Sequence, residues 1–133
     1  MNDDDAYEVR FMRILLADGQ SKVRFALRVL LERQAGVQVV GEATTAQELL
    51  SQAKATCPDL VLLGWELPGM AGESLVTALR SQCSKLAVIA LSGQPGVQRE
   101  VLAAGADDFV SKGKPPEHLL AAIARCWNGK KGE

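Results

Sequence analysis

The chain has 133 residues, 47% of them hydrophobic, with 15 basic and 16 acidic side chains and a net charge of −1. That length suits one domain around one buried core, and the scattered basic residues leave no electrostatic footprint for nucleic acid or an anionic membrane. No apolar run approaches the roughly 20 residues of a membrane span, and the polar opening MNDDDAYEVR is not a signal peptide.

Residues 1–10 read as an acidic, mobile tail. A first strand follows over Phe11–Ala17, and Ser21 is placed to cap the next helix, whose stripe Val23, Ala26, Leu27, Leu30 and Leu31 has the spacing of one buried face. Val37–Ala43 is a second strand. Thr44 or Thr45 caps a second helix carrying Ala46, Leu49, Leu50 and Ala53 inward. Leu60–Leu63 and Leu86–Leu91 are continuously apolar, as expected of central strands covered by helices on both faces. The helix between them turns Leu75, Ala78 and Leu79 to the core. An alanine-rich helix from 97 to 104, with a weaker stripe, stops at Gly105. Asp108–Ser111 is the fifth strand, and Pro115-Pro116-Glu117 opens a last helix with Leu119, Leu120, Ile123 and Trp127 facing in. The folded domain thus runs over 11–127, with 128–133 a polar C-terminal tail. Cys57, Cys83 and Cys126 are widely spaced, pair with no histidine at metal-ligand intervals, and read as reduced packing thiols of a cytoplasmic protein.

Strict alternation of strand and helix implies right-handed crossovers and a doubly wound parallel α/β sheet. In such sheets the ligand crevice opens at the carboxyl ends of the strands. Those ends are Asp18-Gly19, Glu42-Ala43-Thr44, Gly64-Trp65, Ser92-Gly93 and Lys112-Gly113.

The motifs ILLAD, VVGEA, PDLVLLGWELPGMAG, VIALSG, AGADDFVSK and PPEHLL follow in that order from Met12 to Trp127. In combination they resemble the receiver domain of bacterial response regulators, especially the LuxR-type branch. The resemblance implies a flavodoxin-like five-stranded sheet of order 2-1-3-4-5. It also implies a site in which an aspartate after the third strand takes a phosphoryl group from a phosphohistidine. Two acidic residues after the first strand help hold Mg²⁺, and a hydroxyl and a lysine bind the phosphoryl oxygens. Carried over by position, the nucleophile falls on Gly64, the acidic pair on Asp18 and Gly19, the hydroxyl on Ser92 and the lysine on Lys112. Glu66 stands where a backbone carbonyl would complete the metal site, and Phe109 where an aromatic changes rotamer on activation.

Two departures matter. Gly64 has no oxygen to attack phosphorus, which removes the covalent step. Gly19 removes a carboxylate, and Asp18 alone is a poor site for an ion that sheds its waters reluctantly. Asp18, Gly19, Gly64, Ser92 and Lys112 then form a vestigial pocket, with no catalytic residue, metal or cofactor. Gly113 replaces a proline common in other receivers.

Plainer roles stand beside these. Lys112 pairs with Asp18; Ser92 bonds nearby backbone; Phe109 packs in the core; Asp107-Asp108 is a solvated turn; and His118 is a surface helix residue. Trp65 either covers the empty pocket, meets a partner, or is a partly exposed loop residue. The expected function is a non-phosphorylatable, non-enzymatic signalling module of a two-component phosphorelay. It would contact a signalling protein or a histidine kinase pathway member through its fourth helix, fifth strand and fifth helix, and the apolar last two helices leave room for a homodimer. One alternative is a small-molecule or anion sensor using Ser92 and Lys112 in the vacated crevice. Another is a phosphorelay receiver disabled by mutation.

Overall fold

The computed structural model describes residues 10–131. Apart from Arg10, the segment expected to be a mobile tail lies outside the described residues. Five parallel strands run β1 (Met12–Ala17), β2 (Val37–Ala43), β3 (Leu60–Gly64), β4 (Ala87–Ser92) and β5 (Asp108–Ser111), in the order β2-β1-β3-β4-β5. Five helices connect them: α1 (Ser21–Glu32), α2 (Ala46–Thr56), α3 (Gly72–Gln82), α4 (Gln98–Ala103) and α5 (Pro116–Lys131). This is the doubly wound sheet that the alternation implies, in the flavodoxin-like order that the resemblance implies. Among the described residues no helix is long and apolar enough to cross a membrane.

The sheet separates two apolar clusters. On one face Leu49 and Ala53 of α2, Leu75, Val76 and Leu79 of α3 and Val101 of α4 pack on Leu15, Val61, Leu63, Val88 and Ala90. On the other, Leu27 and Leu31 of α1 and Leu119, Ala122 and Ile123 of α5 pack on Ile14, Leu16, Leu60, Leu62 and Ile89. All five β3 residues are buried, so alternate side chains feed each cluster. Each fully buried leucine contributes roughly 1.5–3 kcal/mol, which makes the central strands the main source of stability. Ala26, expected in the α1 stripe, is exposed; the helix turns Leu27 and Leu31 inward instead.

Two helix ends, the start of α1 and the end of α5, differ from their sequence expectation. The cap of α1 is Gln20, not Ser21. The Asp18 carboxylate accepts the Gln20 N–H at 2.8 Å, which turns the chain early and leaves Ser21 already helical. At α2 the cap is Thr45, whose hydroxyl accepts the Glu48 N–H at 3.2 Å. The Glu48 carboxylate reaches back to the N–H and hydroxyl of Thr44, a capping box displaced by one residue. Those donors, the Thr44 hydroxyl first, hold the Glu48 carboxyl below its usual range. At the far end, residues 128–131 form the last turn of α5 rather than a separate tail, and the Arg10 guanidinium sits 5.2 Å from the Trp127 ring centroid.

Asp107 lies exposed in the bend before β5, but the pair is more than a solvated turn. Asp107 accepts the Val88 N–H at 2.7 Å and an Arg80 N–H at 2.9 Å, while Arg80 also donates to the carbonyls of Leu86 and Gly105. Asp108 lies within β5 and accepts from Arg125 at 2.7 Å. Together they fasten the N-terminal ends of β4 and β5 to α3 and α5.

Candidate functional site

The carboxyl ends of β1, β3, β4 and β5 surround a crevice of about 480 Å³, lined by Asp18, Gly19, Gln20, Gly64, Glu66 and Lys112 among others. Four of the five residues of the expected pocket line it; Ser92 lies just beneath, fully buried at the end of β4.

Asp18 is the centre of the arrangement. It is 3% exposed. One carboxylate oxygen accepts the Gln20 N–H, and the other lies 2.7 Å from Lys112 Nζ. That second contact is a charge attraction without a well-aligned hydrogen bond on the oxygen. Lys112 also donates to the Gln20 side-chain oxygen at 3.4 Å. The lysine and aspartate expected to pair are therefore brought together.

Gly64 has a more specific consequence than a missing nucleophile. A Cβ at Gly64 would stand 2.4 Å from Asp18 Oδ2 and 2.9 Å from Asp18 Cγ. The Asp18 carboxylate therefore lies over the glycine, in space that any side chain at this position would need. At Gly19 a Cβ would press only on the Pro68 ring edge, at 3.2 Å, with the Thr44 carbonyl oxygen at 3.9 Å.

Ser92 and Glu66 form the other half of the crevice. The Ser92 hydroxyl donates to the Glu66 carboxylate, 2.9 Å to its nearer oxygen, and accepts the Gln94 N–H at 3.0 Å. Ser92 thus bonds a carboxylate as well as the expected backbone. The side chain of Glu66, given no role in the sequence reading, holds this hydroxyl; its place two residues after β3 is the only signal that could have suggested it. Gln20 was missed for a similar reason, since its role depends on the turn made by Asp18.

The side chains present do not fit the Mg²⁺ that receivers use. Mg²⁺ asks for carboxylate and water oxygens in a near-octahedral shell. Here Gly19 and Gly64 supply none, Asp18 is occupied by the Lys112 ammonium, and Glu66 by Ser92. Among the described residues no group of three or more His, Cys, Asp or Glu side chains converges on a metal position.

Trp65 neither covers the crevice nor stands exposed on a loop. It is 8% exposed and part of the α2/α3/α4 core. Its indole lies over Gly72, where a Cβ would come within 2.7 Å of three ring atoms. Its N–H donates to Glu100 in α4 at 2.8 Å, which satisfies the polar edge of a buried indole. Phe109 is half-buried against the same core, and His118 is exposed in the first turn of α5.

Comparison with known proteins agrees with this architecture. The family described as response regulator receiver domain matches residues 14–124. The chain is 30% identical over 122 residues to the response regulator UvrY of Escherichia coli O157:H7, covering 90% of this chain and 56% of that protein. It is also 30% identical over 118 residues to the transcriptional regulatory protein DesR of Bacillus subtilis, covering 89% and 59%. The chain thus spans a little over half the length of these curated relatives. Among solved structures, a LuxR-family two-component response regulator from Aurantimonas sp. SI85-9A1 superposes with a TM-score of 0.83 at 30% identity, over 90% of this chain and 86% of that one. The response regulator domain of Thermotoga maritima CheB gives 0.80 at 25% identity, over 90% and 98%. The chain belongs to the response regulator receiver domain family of two-component signalling, in its LuxR-type branch.

Proposed function

We propose that this chain is a receiver that accepts no phosphoryl group and acts by protein–protein contact rather than catalysis. The observation that carries the reading is the seat of Asp18: its carboxylate fills the space a side chain at position 64 would take and is ion-paired to Lys112. The groups that would meet an incoming phosphoryl oxygen are engaged with acidic neighbours, Lys112 with Asp18 and Ser92 with Glu66. Their engagement also weighs against an anion sensor in the crevice. The face proposed for contact is α4, β5 and α5, where Leu102 is 44% exposed beside the half-buried Phe109. Its partner would be a signalling protein, such as a member of a histidine kinase pathway. With no phosphoryl group to favour one state by differential affinity, the contact surface is available in the resting fold.

Incubation with acetyl phosphate and Mg²⁺, followed by intact-mass measurement, tests the reading. The expected spectrum is unchanged, and a stable gain of one phosphoryl group overturns it.

A further inference from the structure

Cys57 and Cys83 are 26 positions apart in sequence, yet their sulfur atoms lie 3.8 Å apart. The topology makes this meeting. Each cysteine caps the C-terminal end of a helix, Cys57 that of α2 and Cys83 that of α3. These helices lie on the same face of the sheet, and each leads into one of two adjacent parallel strands, with Leu60 of β3 opposite Ala87 of β4. A disulfide needs about 2.05 Å between sulfurs, so the pair is about 1.8 Å from bonding, a gap that side-chain rotation can close.

Two further observations set this pair apart from ordinary packing thiols. Cys57 holds a left-handed backbone, φ 44° and ψ 64°, at a helix end where glycine would sit without strain. Its side chain is exposed, and it lines a hollow of about 510 Å³ together with Arg10, Lys85, Asp59 and Cys83. Cys83 is half-buried, and its thiol donates toward the Cys57 sulfur and the Ala53 carbonyl. Burial first, and then the hydrogen bond to Cys57, push the Cys83 thiol up.

We propose that Cys57 and Cys83 are a peroxide-sensitive dithiol that closes to an intrachain disulfide. The Cys57 thiolate attacks one oxygen of hydrogen peroxide and breaks the O–O bond, giving a sulfenic acid; the departing hydroxide takes up a proton and becomes water. The Cys83 sulfur then displaces the sulfenic oxygen, which leaves as a second water with the Cys83 proton. Two thiols lose two electrons and two protons, and one peroxide becomes two waters. The bond ties β3, the crevice loop and α3 into one covalent ring.

The full chain, reduced and desalted, is titrated with hydrogen peroxide. The expected product has lost the mass of two hydrogen atoms, its thiol count falls from three to one, and peptide mapping links Cys57 to Cys83. Closing a ring of this size raises Tm by roughly 5–10 °C. Cys126→Ser keeps the mass loss, the Cys57–Cys83 link and the rise in Tm, while its thiol count falls from two to none. Cys57→Gly, which suits the left-handed backbone and preserves the fold, abolishes both the mass loss and the Tm shift. Oxygen addition at Cys57 with Cys83 unlinked overturns the proposal, as does a disulfide through Cys126 or between two chains.

Discussion

The substitution Gly64→Ala adds one methyl group to a buried strand, and in open space it would stabilise the protein. Burying the methyl is worth about 0.8 kcal/mol, and restricting the unfolded chain adds about 0.4–1 kcal/mol. The space is not open. The new Cβ would lie 2.4 Å from Asp18 Oδ2 and 2.9 Å from Asp18 Cγ, where ordinary contact begins at 3.4 Å. Because Cγ is also too close, the carboxylate must swing about its Cα–Cβ bond instead of yielding at its tip. That movement gives up the 2.7 Å contact to Lys112 and the 2.8 Å bond from the Gln20 N–H. Depriving a buried ion of its partner costs about 3–5 kcal/mol; here both partners remain and the Lys112 side chain is 23% exposed, so roughly 2–4 kcal/mol is the appropriate scale. After the favourable terms are subtracted, Gly64→Ala destabilises by up to about 3 kcal/mol. Urea unfolding of wild type, Gly64→Ala, Asp18→Ala and the double mutant measures this as a cycle. In the Asp18→Ala background the methyl meets no carboxylate, so Gly64→Ala is neutral or stabilising there and the coupling is about 2–4 kcal/mol. Additivity within about 0.5 kcal/mol would refute the claim that Asp18 occupies the place of a side chain at position 64.

Gly72→Ala drives a methyl into the Trp65 indole and strains its bond to Glu100, so it costs about 2–3 kcal/mol; a urea midpoint like that of wild type would show that the ring has room to move. Gly19→Asp with Gly64→Asp restores the carboxylates of the family's site, and intact-mass labelling by acetyl phosphate with Mg²⁺ should exceed that of Gly64→Asp alone roughly tenfold or more. Equal labelling of the two would mean that Gly19 is not the limiting loss. The lowered Glu48 carboxyl contributes stability that is present above its unfolded value and lost as pH falls through its folded one. Protection of the amides in the first turn of α2, measured against their intrinsic exchange rates, should therefore fall in wild type as acid protonates Glu48 and be insensitive to acid in Glu48→Gln; an unchanged acid response in Glu48→Gln would place the effect elsewhere.

The strands and the doubly wound sheet were legible because five apolar runs separated by helical stripes leave few alternatives, while the strand order came from the resemblance to receivers. Gly64, Gly19 and the Asp18–Lys112 pair were legible by position, since each lies at the carboxyl end of a strand. What escaped the sequence was contact between distant residues. Trp65 follows a strand end, where periodicity stops predicting direction, and its burial depends on Gly72, which leaves room for the ring. Asp107 appears to the sequence as one of two adjacent charges, but its partner Arg80 lies 27 positions away. The Cys57–Cys83 meeting could have been inferred from topology. Both residues precede neighbouring parallel strands by three or four positions, so the repeat of the fold brings them together.

The two tryptophans of this chain lie on opposite sides of its sheet. Trp65 belongs to the cluster beneath α2, α3 and α4, and Trp127 packs against the cluster of α1 and α5. Each layer therefore carries its own fluorophore, one hydrogen-bonded to a carboxylate and the other stacked under a guanidinium. Single-tryptophan variants let the melting of each layer be followed separately in one optical experiment. Coincident transitions would mark the domain as one cooperative unit; a lag between them would reveal which side of the sheet gives way first.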